Sequence, residues 1–323
     1  MPTSARSPKA QASDRSSLVA IGNFDGVHLG HRAVIEAALA EARDTGLRPL
    51  VLTFDPHPAV VLGREVRPPL TLLERKLDLI QGLGSELSVV VEPFTLELSQ
   101  LSPLAFARQV IVSQLAAKLV IVGENFRFGH RRAGDLATLV QLGQELGFAA
   151  HASSLHGDAD GPYSSTRARA ALSAGDLGAV EQVLGRPHSI SGTVVTGAQR
   201  GRTIGVPTAN LGSVAEALPP YGVYAVWVDR VVLGRATALA RGVANIGLRP
   251  TVNAGFSVEV HLLDFAEDLY GQTLRVHLVR RLREERKFAG LVELKQQIAQ
   301  DIVDGRAALH GMTPDAAASG GFR

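Results

Sequence analysis

The sequence changes its pattern near Gly185, and this change limits the possible folds more than any other feature. From about residue 17 to 184, short runs of Val, Ile and Leu alternate with stretches that have helical spacing. Strands of this composition, joined by helical crossovers, form parallel sheets that are covered on both faces. We therefore predict a Rossmann-like α/β domain over residues 17–184.

This first half has room for five strands and the helices that connect them. We place the strands at 17–22, 49–54, 87–94, 118–123 and 148–154. The helices are expected at 31–46, 71–84, 103–117, 135–147 and, as a joining stretch, 166–184. Ser102, followed by a proline, and Asp135 have the side chains that helix N-caps favour.

The second half contains strand-like runs with no helix between them. These runs cover 189–197, 222–229, 231–247, 257–265 and 273–282. Such a series predicts an antiparallel barrel or sandwich. An amphipathic helix over 291–309 would close this domain of residues 185–309, leaving a disordered leader (1–16) and a flexible tail (310–323).

Composition excludes several classes of protein. Lys and Arg total 33 against 31 Asp and Glu, a net charge of only +2, which does not favour nucleic acid as a partner. There is no cysteine, so disulfides and thiolate metal sites are excluded, as is usual in a cytoplasmic protein. No apolar run approaches the roughly 18 residues of a membrane span, so we expect a soluble protein that has no membrane partner.

The stretch GNFDGVHLGH (22–31) follows the first predicted strand. Ligands of open parallel sheets bind beyond the carboxyl ends of the strands, and glycines let backbone N–H groups approach them closely. With a helix N-terminus and two histidine donors, His28 and His31, this loop suits a phosphoryl group in transfer. A solvated turn and a His-x-x-His metal pair remain alternatives, whereas dinucleotide and Walker motifs are absent.

Two further stretches of the first half contain candidate ligands. SSTRARAALSAGD (164–176) places hydroxyls at a helix start and arginines in its first turn, where the helix dipole disfavours them unless an anion compensates. VGENFRFGHRRAGD (122–135) follows the fourth strand, and its Asn125 and Phe128 offer an amide and an aromatic face to a planar heterocycle. A simple N-cap and ordinary loop packing would also explain these residues.

The run VVTGAQRGRTIGVPTANL (194–211) repeats a four-residue glycine spacing in the second half. Its glycines are Gly197, Gly201 and Gly205, and they could simply form turns. The oxygen donors of Thr208 and Asn210, next to a flexible loop, suit Mg²⁺ with nucleotide phosphates.

Glu259 is a polar residue on the alternating strand SVEVHLLDF (257–265). It could be an ion-paired surface residue. It could also accept a proton from an attacking hydroxyl.

The first-half motifs IGNFDGVHLGH, TFDPHP, VGENFRFG and SSTRAR, in this order, resemble the adenylyltransferase half of bacterial bifunctional riboflavin kinase/FAD synthetases. The resemblance implies that His28 and His31 stabilise the α-phosphate of ATP while the phosphate of FMN attacks it. It also implies that Asn125, and Phe128 with it, contacts the flavin substrate. The other residues expected to bind or shape the site for ATP are Gly22, Asn23, Asp25, Gly30, Ser164, Thr166 and Arg169.

The second half resembles the riboflavin kinase module through GRTIGVPTANL, YGVYAV, GVANIGLRPT and VEVHLLDF, and this implies a β-barrel. By resemblance, Thr208 and Asn210 bind Mg²⁺ and ATP, and Glu259 activates the ribityl hydroxyl of riboflavin. The ATP loop would comprise Gly197, Gly201, Arg202 and Gly205 in addition. The expected substrates are thus riboflavin, FMN and ATP, and the expected activities are riboflavin kinase and FMN adenylyltransferase.

The kinase loop departs from the family pattern. Ala198 and Gln199 stand where an Asp-Lys pair is common, and Leu248 replaces a small polar residue. A chain with only one active module is therefore an alternative hypothesis. An RNA-binding regulator on the same scaffold is a second, independent one, which the weak net charge and the 5% of aromatic residues disfavour. Measuring the two half-reactions separately, and RNA affinity at varied salt, separates them.

Overall fold

A computed structural model describes residues 16–65, 67–197, 201, 205–248 and 256–312. These residues divide into two compact units, and each unit is built around a sheet of its own. Unit one comprises 16–24, 30–65 and 80–162, and unit two comprises 25–29, 67–79 and 163–312.

Unit one is built on a five-stranded parallel sheet with strand order β3-β2-β1-β4-β5. The strands are β1 Ser17–Ile21, β2 Arg48–Asp55, β3 Ser88–Pro93, β4 Ala117–Gly123 and β5 Ala149–Ser153. The main helices of unit one are α1 Leu29–Thr45 and α6 Leu136–Leu146, whereas α3 Leu73–Gln81 belongs to unit two up to residue 79. The predicted parallel sheet is confirmed, because all five predicted strands form and every pair of neighbours is parallel.

The carboxyl ends of β1 and β4 form the part of the sheet where a ligand is expected. Ala20 pairs with Ile121, so the two strands end within one residue of each other. From β1 the order proceeds to β2 on one side and to β4 on the other, which makes this pair the switch point where open α/β sheets bind ligands. The loops after Ile21 and after Gly123 therefore flank the expected ligand crevice.

Smaller elements of unit one were not predicted. They are α2 Pro58–Val61, α4 Leu96–Gln100, a 3₁₀ turn His130–Arg132, and a hairpin of β6 Gly157–Asp158 with β7 Gly161–Pro162. The predicted helix 103–117 starts as α5 Pro103–Phe106, capped by the Ser102 hydroxyl, and continues as a π-helix, Ala107–Gln114. In it, the Leu115 amide donates to the Val110 carbonyl, five residues back.

Unit two contains a closed six-stranded barrel in the order β10-β11-β12-β9-β8-β13. The strands are β8 His188–Val195, β9 Ala209–Gly212, β10 Gly222–Val232, β11 Arg235–Leu248, β12 Phe256–Leu262 and β13 Thr273–Glu284. Helices α7 Ser165–Ala174 and α8 Leu177–Leu184 precede it, and α9 Leu291–Ala308 follows it. The predicted antiparallel barrel and its closing helix are confirmed, whereas β9 was not predicted.

The barrel is filled from alternate strand positions. On β12, Val258, Val260 and Leu262 are buried in the barrel core, while Glu259 and His261 between them are half-exposed. Period-two alternation directs these two polar side chains away from the core.

Among the described residues, none of the helices is long and apolar enough to cross a membrane.

Candidate active sites

The loop after β1 has an unusual backbone. Phe24, Gly26 and Val27 all have positive φ angles, +50°, +83° and +40°. A left-handed conformation is rare for a β-branched residue and costs about 1–3 kcal/mol, so the surrounding structure must hold it in place. Gly22 has no room for a side chain, because a Cβ there would lie 2.9 Å from the Phe24 ring.

Asp25 is the centre of a hydrogen-bond network in unit two. Its Oδ1 accepts from the amides of Leu70 at 2.9 Å and Thr71 at 3.3 Å. Its Oδ2 forms an ion pair with Arg169 on α7. Its carbonyl accepts a 2.9 Å bond from the Ser165 hydroxyl. Asp25 therefore fixes the loop to α7 and to the chain before α3.

His28 lies in the same unit and is only 6% exposed. Burial lowers the pKa of His28 from 6.5 to about 4, and the nearby positive charge of Arg186 acts in the same direction, against a smaller opposing effect of Asp25. The imidazole is consequently neutral near pH 7, and a neutral ring still has one N–H to donate.

His31 belongs to unit one and lies in the first turn of α1, one residue after Gly30. Its ring makes an edge contact with Phe24, with centroids 5.1 Å apart and planes at 73°. A helix N-terminus carries partial positive charge and attracts anions. His31 thus combines a side-chain N–H with a favourable place on a 17-residue helix.

Two exposed amides mark the edge of the sheet in unit one. Asn23 follows β1, and its carbonyl accepts a 3.2 Å hydrogen bond from the Thr53 hydroxyl. Asn125 follows β4 and is also exposed. The pairing of β1 with β4 brings these two loops to neighbouring positions.

Phe128, which was expected to contact the flavin, is instead buried against other aromatic rings. It is 6% exposed, stacks on Phe126 at 5.5 Å and packs against Phe106 at 5.8 Å. Gly134 is fitted against it, since a Cβ there would come within 2.6 Å of the Phe128 ring. The half-exposed ring of Phe126 is the more accessible aromatic face of this loop.

The start of α7 agrees with part of the sequence analysis. Ser164 is the N-cap, and its hydroxyl accepts from the Arg167 amide at 3.1 Å. Thr166 is exposed in the first turn. Arg169 donates to the Pro68 carbonyl at 2.6 Å in addition to its ion pair with Asp25. Ser164 and Arg169 therefore have structural contacts, whatever they bind in addition.

A second cluster forms on the outside of the barrel, within unit two. A Cβ on Gly197 would lie 2.5 Å from the side-chain amide of Asn210, and one on Gly201 would lie 3.3 Å from the Thr208 hydroxyl. The Val206 amide closes the loop by donating to the Gly201 carbonyl at 2.8 Å. The glycine positions therefore bring the loop backbone directly against two oxygen-bearing side chains.

Glu259 completes this cluster. Glu259 on β12 is paired in register with Asn210 on β9. The Thr208 hydroxyl donates to the Glu259 Oε2 at 3.5 Å. His261, on the same face, bonds the Pro207 carbonyl at 2.8 Å through Nδ1. Gly205 takes a φ of +83°, and the predicted Arg202, like Ala198 and Gln199, lies outside the described residues.

Comparison with known proteins identifies both halves. The FAD synthetase family model matches residues 10–167, and the riboflavin kinase model matches residues 184–309. The chain is 41% identical over 300 residues to the bifunctional riboflavin kinase/FMN adenylyltransferase of Escherichia coli K12, covering 92% of this chain and 94% of the relative. The Bacillus subtilis 168 relative of the same name is 39% identical over 294 residues, covering 88% and 90%.

The chain belongs to the bifunctional riboflavin kinase/FMN adenylyltransferase family. As a member, it phosphorylates riboflavin to FMN with ATP and then adenylylates FMN to FAD. It is also similar to a crystal structure described as a macrolide-efflux protein from Streptococcus pneumoniae. That likeness has a TM-score of 0.79 at 28% identity and covers 92% of this chain and 96% of the other.

The sequence analysis of this riboflavin kinase/FMN adenylyltransferase did not include two residues that lie at the candidate adenylyltransferase site. Arg186 contacts the loop before His28, and Phe126 presents the accessible ring after β4. The only feature of the sequence that could have indicated Arg186 is its position directly after Gly185, the C-cap of α8. In the described part of the chain no three His, Asp or Glu side chains are grouped to hold a metal ion.

Proposed function

We propose that the two reactions use two separate sets of side chains, with Glu259 acting in riboflavin phosphorylation and the two histidines in FMN adenylylation. For the kinase, the supporting observation is the packing of Gly197 and Gly201 against Asn210 and Thr208, beside the Glu259 carboxylate. The glycines let the loop backbone approach these polar side chains closely, which groups backbone and side-chain partners for the proposed phosphates.

In the phosphorylation step, the ribityl 5′-oxygen attacks the γ-phosphorus of ATP, and ADP leaves. The Glu259 carboxylate accepts the proton that this 5′-hydroxyl loses. The half-exposed position of Glu259, on the outer face of β12, leaves this carboxylate accessible to a substrate hydroxyl. The ATP loop of this proposal comprises Gly197, Gly201, Arg202, Gly205, Thr208 and Asn210.

The donor set of this cluster fits Mg²⁺. A hydroxyl, an amide carbonyl and a carboxylate, on Thr208, Asn210 and Glu259, are hard oxygen ligands of the type that Mg²⁺ prefers alongside substrate phosphates. We propose that Thr208 and Asn210 hold the ion. When bound, Mg²⁺ would neutralise charge on the transferred phosphoryl group.

In the adenylylation step, His28 and His31 donate hydrogen bonds to the α-phosphate of ATP as an FMN phosphate oxygen attacks it and pyrophosphate leaves. The position of His31 in the first turn of α1 supports this role, because the helix end adds to the attraction of an anion. The neutral state of His28 restricts it to hydrogen bonding rather than ion pairing near pH 7.

The remaining predicted residues divide between shaping and binding. We propose that Gly22, Asp25 and Gly30 shape the loop, since Asp25 already bonds three backbone groups or side chains of its own unit. Asn23 and Asn125 are placed to contact substrate at the β1–β4 edge. Phe128 would support the loop through Phe126, while Ser164, Thr166 and Arg169 remain the proposed phosphate contacts at α7.

We further propose that the functional boundary falls near residue 185, with the adenylyltransferase over 17–184 and the kinase over 185–309. The change of sequence pattern and the two family matches support it.

Assays of the separate half-reactions test these roles. We expect Glu259→Gln to lose riboflavin phosphorylation at least about 100-fold while adenylylation of supplied FMN is unchanged. Glu267→Gln is the matched control, because Glu267 is an exposed carboxylate of the same unit, paired with Arg230. Equal loss of both half-reactions in a folded Glu259→Gln protein would contradict the assignment.

A further inference from the structure

Arg186 makes a set of buried contacts that the catalytic assignments do not use. It is 6% exposed, and its Nη1 donates to the carbonyls of Val27 at 3.1 Å and Leu184 at 3.0 Å. Its Nη2 donates to the carbonyl of Gly26. The arginine thus joins the end of α8 to two consecutive peptide groups about 160 residues earlier in the sequence.

The acceptors explain why an arginine is found here. A guanidinium presents its N–H groups in one rigid plane, so it can bond two neighbouring carbonyls at once, which a lysine ammonium does less well. The Leu184 carbonyl is at the C-terminal end of α8, where the helix dipole favours a cation. These contacts offset part of the cost of burying the charge.

The two carbonyls belong to the strained part of the loop. Gly26 and Val27 have positive φ angles, and His28 is the next residue. Strained backbone persists only where neighbouring groups over-determine it. The hydroxyls of Thr71 and Ser165 bond the Gly26 amide and the Asp25 carbonyl, and Arg186 bonds the two carbonyls that follow.

We propose that Arg186 is a positioning residue for FMN adenylylation, holding the Gly26 and Val27 carbonyls so that the backbone presents His28 to the α-phosphate. This inference rests on the proposed role of His28. All of these residues lie within unit two. Arg186 falls in the stretch matched by the riboflavin kinase model, whereas His28 falls in the stretch matched by the FAD synthetase model.

A positioning residue in the kinase stretch has a functional consequence. The loop that carries an adenylyltransferase histidine depends on the segment with which the kinase sequence begins. Burial is the main cause of the lowered pKa of His28, and the charge of Arg186 lowers this pKa further.

Arg186→Gln and Arg186→Lys in the full chain test the proposal. Because a displacement near 1 Å can reduce a rate about 100-fold, we expect Arg186→Gln to lower the kcat of FMN adenylylation about 10–100-fold. The KM for ATP and the riboflavin kinase rate should remain as in the wild type. Arg186→Lys, which retains the charge but not the planar fork, should recover only part of the loss.

Arg281→Gln is the matched control, because Arg281 lies in the same unit and donates to a carbonyl, that of Tyr221, outside the loop. It should leave adenylylation unchanged. The proposal is overturned if Arg186→Gln adenylylates at the wild-type rate, or if both activities fall together with the folded fraction measured by circular dichroism. His28→Ala separates the two proposals: wild-type adenylylation in that variant refutes the role of His28 itself.

Discussion

Gly201→Ala is the substitution whose effect follows most directly from the kinase cluster. A Cβ at this position would lie 2.3 Å from the Val206 carbonyl oxygen, 0.7 Å inside the 3.0 Å below which real Cβ contacts essentially never occur. The obstacle is backbone, so the loop has to move. The same Cβ would press on the Thr208 hydroxyl at 3.3 Å.

The size of the effect can be worked from this displacement. A shift of several tenths of an ångström threatens the 2.8 Å bond between the Val206 amide and the Gly201 carbonyl, which contributes about 1 kcal/mol. Moving Thr208 by a similar distance is expected to lower the rate of riboflavin phosphorylation about 10–100-fold. Adenylylation of supplied FMN should be unchanged.

The assay follows ADP release from ATP and riboflavin, with FAD formation from FMN measured on the same preparation. Gly290→Ala is the matched control, since Gly290 is in the same unit, has an extended backbone and has no atom within 4 Å of the position that a Cβ would take. Wild-type phosphorylation by Gly201→Ala would refute the argument that this glycine keeps the loop against Thr208.

Three other predictions concern the rest of the molecule. Gly22→Ala should lower adenylylation about 10-fold and spare the kinase, because its Cβ would displace the Phe24 ring that contacts His31. His188 is fully buried, and burial is the main cause that lowers its pKa from 6.5 to about 4. Because the unfolded chain binds a proton at this residue near pH 6.5 and the folded chain does not, the stability falls as the pH drops below 6.5. Urea titrations should show about 2 kcal/mol less stability at pH 5 than at pH 7 from this group alone. Chelation of Mg²⁺ should stop phosphorylation, and restored Mg²⁺ should recover it.

The controls for these predictions come from the same chain. Gly46→Ala is the control in unit one. A Cβ there has no atom within 4 Å, so this change adds strain at a left-handed φ of +69° without displacing a side chain. His188→Gln should reduce the dependence of stability on pH and leave the part that His28 contributes, whereas His156→Gln, at an exposed position, should not change it. Unaltered adenylylation in Gly22→Ala, a pH-independent stability, or phosphorylation without Mg²⁺ would contradict the respective argument.

Most of the fold could be predicted because its signals are local. Strands β1 to β4 contain runs of Val, Ile and Leu, and caps such as Ser102 and Asp135 mark where helices start. The stretch Ala107–Gln114 was predicted as helix but not as π-helix, because the shift of each hydrogen bond from the fourth to the fifth preceding residue leaves no clear mark on the residue pattern. The short strand β9 was missed because a Pro-Thr-Ala-Asn run reads as a loop.

The candidate sites could be predicted where residue types and spacing carry the chemistry. The run 194–211 brings Gly197 and Gly201 together with Asn210 and Thr208, as its spacing suggested, whereas only the pairing of β9 with β12 shows that Glu259 lies beside them. The role of Arg186 could not be read from the sequence, because its acceptors are backbone carbonyls. Any residue type can supply these, and only the folded chain shows which ones it meets.

The division of labour is tested most directly by mixing two variants that each lack one of the two activities. His31→Ala should convert riboflavin to FMN and stop there, while Glu259→Ala should leave riboflavin unchanged but convert supplied FMN to FAD. We expect an equimolar mixture of the two, given riboflavin, ATP and Mg²⁺, to form FAD through free FMN. A mixture that accumulates FMN without FAD, or makes no flavin nucleotide, would show that the two reactions do not depend on separate side chains.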